Sequence, residues 1–105
     1  MGLSIHWTDF AKNELNSIFE YHAQQTSVSI ARNIVRQIVE RTADLKNFPE
    51  TGAYENLLIN RPQSFRYIVS TNYKIIYWVN VEKNSVEIVD VFDTRQNPEK
   101  IVRNK

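Results

Sequence analysis

Between Phe48 and Ala53 the chain changes its hydrophobic period, and that change constrains the fold more than any single motif. Before it, apolar residues recur every three or four positions. Ala11, Leu15, Ile18, Phe19 and His22 form one stripe through residues 9–24, and Ala31, Ile34, Val35, Ile38, Val39, Leu45 and Phe48 form a second, wider one. Such spacing places the residues on one face of an amphipathic helix. After it, the runs Phe65 to Ser70, Tyr73 to Val81 and Ser85 to Phe92 are rich in aromatic and β-branched residues and predict three strands. Thr8 and Ser27 stand where helix N-caps are needed, and Pro49 and Gly52 close the helical half. Leu3, Ile5 and Trp7 alternate with polar neighbours and predict a short opening strand over residues 3–7. Segment 53–64 is read as loop because Asn60, Arg61 and Pro62 interrupt Leu57-Leu58-Ile59.

The order is therefore β-α-α-β-β-β, an α+β fold with a helical hairpin packed on one face of a largely antiparallel sheet. With 105 residues the expectation is one domain, 1–105, in which 94–105 is a short basic tail containing Pro98.

If Thr71-Asn72 and Lys83-Asn84 are both two-residue hairpin loops, strand partners can be counted. Arg66 then faces Tyr77, and Tyr77 faces Asp90, a polar row on the surface that also carries Ile68, Ile75, Val79, Val86, Ile88 and Phe92. The other surface carries Tyr67, Val69, Ile76, Trp78, Val89 and Val91 among Lys74, Asn80, Glu87 and Asp93. It is too apolar for a sheet face wholly in water.

Several chemistries are excluded by composition. Without cysteine there are no disulfides, thiolate metal sites or cysteine nucleophiles, and a reducing cytoplasm is the expected compartment. The first ten residues lack a basic stretch followed by an apolar core, and the longest apolar run, Ile75 to Val79, is too short to cross a bilayer, so neither export nor anchoring is expected. His6 and His22 have no companion ligands, and no metal or cofactor is expected. Residues 1–60 carry five Lys/Arg against seven Asp/Glu, and residues 61–105 carry eight against five. The charge is thus −2 in front and +3 behind, a basic bias suited to an anionic partner but short of a nucleic-acid patch.

The Arg66-Tyr77-Asp90 row has two readings. A guanidinium beside a phenol can hold a phosphate or a ribose. The same three side chains can instead form a structural ion pair completed by a phenol, and this is the favoured expectation. Trp78, with Tyr67, Ile76 and Val89, is the candidate docking surface for another chain, the alternative being burial beneath the first strand, the tail or a second copy.

The ordered set Trp7, Ala11, Leu15, Ile18, Tyr21, Leu45, Phe48, Pro49, Gly52 and Arg66 continues through Tyr73-Lys74-Ile75-Ile76-Tyr77 and Val86-Glu87-Ile88. It ends in the distinctive Val91-Phe92-Asp93-Thr94-Arg95-Gln96-Asn97-Pro98. Over nearly its whole length the chain resembles the RelE/ParE toxin superfamily of type II toxin-antitoxin systems, more closely its ParE or plasmid-stabilisation branch. The resemblance implies a bacterial toxin neutralised by a cognate antitoxin in a hetero-oligomer. Members similar to ParE inhibit DNA gyrase and replication, and members similar to RelE are ribosome-dependent mRNA endoribonucleases. A third alternative is an inactive homologue that only binds antitoxin.

Metal-independent RNA cleavage needs a base, an acid and cations around the phosphate. Under that alternative Arg66, Tyr77 and Arg95 are the catalytic candidates. Nothing after Phe92 is Tyr or His, and Asp93 stands where many relatives carry His, so the reading leans to a noncatalytic gyrase inhibitor. Arg61, Arg66, Arg95, Lys100 and Arg103 are then the target-contact candidates, and Tyr67, Ile76, Trp78 and Val89 the antitoxin-contact candidates.

Overall fold

The computed structural model describes residues 2–95 and residue 101. Its elements follow in the order β1 (Ser4–Trp7), α1 (Asp9–Gln25), α2 (Val28–Ala43), a 3-10 turn (Asp44–Lys46), β2 (Ala53–Tyr54), a second 3-10 turn (Asn56–Leu58), β3 (Arg66–Ser70), β4 (Tyr73–Asn80) and β5 (Ser85–Asp93). Both caps are made. The Thr8 side chain accepts from the Ala11 amide at 3.2 Å and that of Ser27 accepts from the Ile30 amide at 3.1 Å, each satisfying a donor that the first helical turn leaves open. Thr8 also donates through its hydroxyl to the Ile88 carbonyl at 3.1 Å, tying the start of α1 to β5.

The five strands lie in the order β1-β5-β4-β3-β2, antiparallel except for β1, which runs parallel to β5 with Ser4 opposite Ser85 and Trp7 opposite Ile88. The long connection that a parallel neighbour requires runs through the helical hairpin and the three strands β2, β3 and β4. Ala11 and Ile38 of the helices, with Leu45 of the first 3-10 turn, bury against Ile68, Ile75, Tyr77, Val86, Ile88 and Val91 of the sheet. Leu3, Ile5 and Trp7 complete this core from the edge. The helical stripe thus extends through Leu45, but α2 itself stops at Ala43, and Phe48 is 66% exposed.

The strand count along β3 and β4 holds, with Arg66 opposite Tyr77 and Ser70 opposite Tyr73 around a two-residue loop. Along β5 it does not. Asn80 pairs with Ser85, so the second loop is four residues, 81–84, and not the two-residue Lys83-Asn84 turn. That change moves the register by two and keeps Tyr77, opposite Ile88, on the helix-facing side. A bulge between Ile76 and Tyr77 then restores one residue, and Ile76 pairs with Asp90. Asp90 and Phe92 consequently leave the helix face and Val91 joins it. Asp90 is not opposite Tyr77, so the polar row of three does not form.

The second face is covered by its own chain. Leu58 of the second 3-10 turn, Phe65 and Ile101 close over Ile76 and Phe92, with Tyr67, Trp78 and Val89 half-buried around them. This explains the apolar character of a face that has no helix on it. Segment 53–64, expected as loop, contributes both the two-residue strand β2 and the turn that supplies this cover.

Thr71, at the tip of the β3-β4 loop, has φ 54°. A β-branched residue is strained in the left-handed region, whereas glycine is not. Thr71→Gly is therefore expected to raise the unfolding free energy by about 1 kcal/mol in denaturant titrations, with the gain set against the greater freedom of glycine in the unfolded chain.

Candidate functional site

The segment from Pro49 to Tyr54 carries the chain from the helical layer to the sheet, and two cross-strand partners hold it. Tyr77 donates its hydroxyl proton to the Pro49 carbonyl at 2.6 Å and accepts from the Gly52 amide at 3.0 Å. Arg66 donates through one terminal nitrogen to the Gly52 carbonyl at 2.8 Å and the Glu50 carbonyl at 3.3 Å, and through the other to the Tyr54 hydroxyl at 2.9 Å. Its guanidinium also lies 4.1 Å from the centroid of the Tyr54 ring, a cation–π distance. Gly52 is required there. A Cβ would come within 2.5 Å of the Tyr67 carbonyl oxygen and 2.6 Å of the Tyr77 hydroxyl.

Tyr77 is fully buried, and burial raises its pKa above the usual 10.0. It is a protonated, saturated hydrogen-bonding group without access to a substrate. The structure thus replaces the expected Arg66-Tyr77-Asp90 ion pair with a different arrangement, a guanidinium and a phenol gripping backbone carbonyls.

Arg95 sits elsewhere. Its Nε and one terminal nitrogen donate to the two oxygens of Asp93 at 3.0 and 2.9 Å, and its backbone amide donates to the same carboxylate at 2.9 Å. Asn72 adds a fourth donor at 3.2 Å. The Arg95 hydrogen bonds, led by that of its side chain and partly offset by burial, hold the Asp93 carboxyl down at about 2. This pair lines a crevice with Glu14, Tyr21 and Tyr73, and the Tyr73 hydroxyl meets His22 Nε2 at 2.8 Å.

Tyr73 faces Asp93 and Tyr77 faces Arg66, so the two sites are separated by four residues of β4, or roughly 13 Å at about 3.3 Å per residue. Arg66 and Tyr77 are brought together, and Arg95 is not brought to them.

Of the remaining candidates, Tyr67, Trp78 and Val89 are half-buried on the second face, whereas Ile76 is fully buried beneath Phe65 and Phe92 and supports that surface without belonging to it. Lys74 is held by Glu55 at 2.8 Å and lies 4.2 Å from the centroid of the Tyr67 ring. Arg61 lies half-buried between two grooves of the same region. Lys100 and Arg103 lie outside the described residues. Sequence reasoning did not single out Tyr54 or Glu55. Their one available signal was proximity to Gly52, and both act through partners distant in sequence. Among the described residues no group of three or more His, Asp or Glu could hold a metal ion, and no helix is long and apolar enough to cross a membrane.

A mixed five-stranded sheet packed against a helical hairpin is a fold shared with known toxin structures. Residues 5–98 match the family model of the ParE toxin of type II toxin-antitoxin systems (parDE), and the chain belongs to that family. The fold is similar to that in the chromosomal ParDE system of P. aeruginosa (TM-score 0.72, 19% identity, 87% of this chain and 95% of that one). It is also similar to that in the RelBE2 toxin-antitoxin complex of Mycobacterium tuberculosis (0.65, 17%, 89% and 99%). A free-state mutant of the E. coli toxin RelE superposes over 100% of both chains (0.62, 16%). No curated protein matches the chain at the sequence level.

Tyr77→Phe leaves the Gly52 amide and the Pro49 carbonyl without their buried partner and should cost about 1–3 kcal/mol in urea unfolding. Asp93 has a folded pKa depressed from 3.8 to about 2, so its stabilising contribution is complete above 3.8 and is lost as pH falls towards 2. Stability measured across that window should fall with a shallower slope in Asp93→Asn than in the parent chain.

Proposed function

We propose that this type II toxin acts without catalysis, by inhibiting DNA gyrase, and that a cognate antitoxin neutralises it. The observation that carries the reading is the separation of the candidate catalytic groups. Arg66 and Tyr77 meet across β3 and β4 and are spent on backbone carbonyls and an amide, while Arg95 follows β5 beside Tyr73, four residues away along β4, and is neutralised by Asp93. Cleavage of RNA without metal asks for a proton acceptor, a proton donor and uncompensated cations within hydrogen-bond reach of one phosphate. Tyr77 is inaccessible, and the Asp93 carboxylate would oppose a phosphate brought to Arg95.

In a noncatalytic toxin these residues have simpler roles. Arg66 fixes the connection between the layers. Arg95 has a side chain 61% exposed and held in one direction by Asp93, which makes it the better target-contact residue because little of its freedom remains to be lost on binding. Lys100 and Arg103 add to the same basic half of the sequence. The antitoxin docks on the second face, where Tyr67, Trp78 and Val89 present half-buried aromatic and aliphatic surface over a rigid base.

Induced expression without antitoxin, with DNA and protein synthesis followed by separate radiolabels, tests the reading. DNA synthesis should stop first, and the purified toxin should block supercoiling by gyrase. Earlier loss of protein synthesis, with cleaved mRNA on ribosomes, would overturn gyrase inhibition in favour of the ribonuclease.

A further inference from the structure

One buried polar atom among the described residues stands apart. Among the described residues, Arg61 Nε is the buried side-chain nitrogen or oxygen that has no hydrogen-bond partner. A buried donor without an acceptor is unfavourable, and a water, an ion or an acceptor from a partner answers it in a native assembly. Arg66, Lys74 and Arg95, the other cations singled out in this half of the chain that lie among the described residues, are engaged by carbonyls, Glu55 and Asp93 respectively.

The surroundings of Arg61 favour an anion with apolar neighbours. It lines two grooves that share Phe65 as a wall. One is completed by Tyr54 and Leu58, the other by Trp78 and Val89. Gln63 and Ser64 add polar side chains to the first groove. Glu55, which also lines it, would repel an anion if unpaired, but Lys74 neutralises it at 2.8 Å. Beside Arg61 the turn exposes Leu57 and Ile59, the latter 68% accessible, so the cation stands next to uncovered aliphatic surface. The planar fork of a guanidinium matches the two oxygens of a carboxylate, and Arg61 as a whole is only half-buried between the grooves, so its side chain can be reached from outside.

We propose that Arg61 is an anchoring site for a carboxylate of the antitoxin, an Asp or Glu whose neighbouring apolar side chains enter the grooves on either side. Arg61 is thereby assigned to neutralisation and not to target contact. The inference rests on the reading that an antitoxin covers this chain, and it is independent of whether gyrase or the ribosome is the target. A nucleic-acid backbone fits the site less well. Phosphates are bound by several cations tracking a strand, and here the neighbouring cations are already engaged while the groove walls are aliphatic and aromatic.

The test uses the full-length toxin and the antitoxin encoded beside it, with affinity measured by calorimetry. Arg61→Ala should weaken binding at least tenfold, and Arg61→Lys should recover little of the loss because lysine lacks the fork. The free Arg61→Ala toxin should keep the parent's Tm, since the Nε donor makes no internal hydrogen bond. Changing antitoxin Asp and Glu residues singly to Asn and Gln should identify one whose loss has no further effect in the Arg61→Ala background. Affinity within twofold of the parent for Arg61→Ala would overturn the proposal. So would loss of binding to a labelled single-stranded RNA oligonucleotide with antitoxin affinity retained, which would make Arg61 a phosphate contact. If the parent toxin does not bind the neighbouring protein at all, the antitoxin reading itself fails and the anchor with it.

Discussion

The hydroxyl of Tyr77 reaches out of the middle of the sheet to hold the turn that leaves the helices. By donating to Pro49 and accepting from Gly52 it fixes the exit of the helical layer over β4, and Arg66 grips the same segment from the neighbouring strand. Gly52 makes the approach possible because a side chain of any size would strike the Tyr77 ring and the β3 backbone. The position of β2, the short edge that follows at once, depends on this junction, and so does the placement of the Asn56–Leu58 turn that caps the second face. A hydrogen-bonded phenol buried in the core thus couples the two layers through geometry more than through area.

How legible these features were depended on whether a local signal existed. Thr8 and Ser27 announced their helices because capping is chemistry within three residues. The Arg66-Tyr77 pairing was readable because Thr71-Asn72 is a two-residue loop and the count across it is short. In β5, Val86, Ile88, Val89, Val91 and Phe92 are apolar on both sides of the strand and the polar Glu87 and Asp90 are themselves buried, so neither marks which register is right, and the four-residue loop and bulge left no trace in the pattern. Asp90 was misplaced for that reason. The folding of residues 56–65 and Ile101 back over Ile76 was equally hidden, since burial of the second face depends on contacts between segments far apart in sequence. The chemistry of the site was legible in kind, as arginines and a tyrosine, but their partners were not, because backbone carbonyls have no signature in a sequence.

Three cations of this toxin are answered from within. Asp93 orders Arg95, Glu55 orders Lys74, and the loop carbonyls order Arg66. Each arrangement removes freedom from a long side chain before any partner arrives, which lowers the entropy lost at an interface. It also lowers the field that these cations present to solvent, in keeping with a net charge of only +1. The surface is thereby shaped to recognise particular groups at short range more than to gather anions from a distance.

The parallel pairing of β1 with β5 places the first strand of the chain beside the last, with His6 meeting Glu87 across 81 positions of sequence. On a ribosome the helical hairpin and β1 emerge long before β5 does, and the strand that must lie between β1 and β4 is the last to be made. An interrupted chain therefore lacks an interior strand and not a border, and leaves β1 with no neighbour. A chain stopped before β5 would keep the β2-β3-β4 ladder but could not join it to β1, so the sheet closes over the helices only when its interior strand has been made.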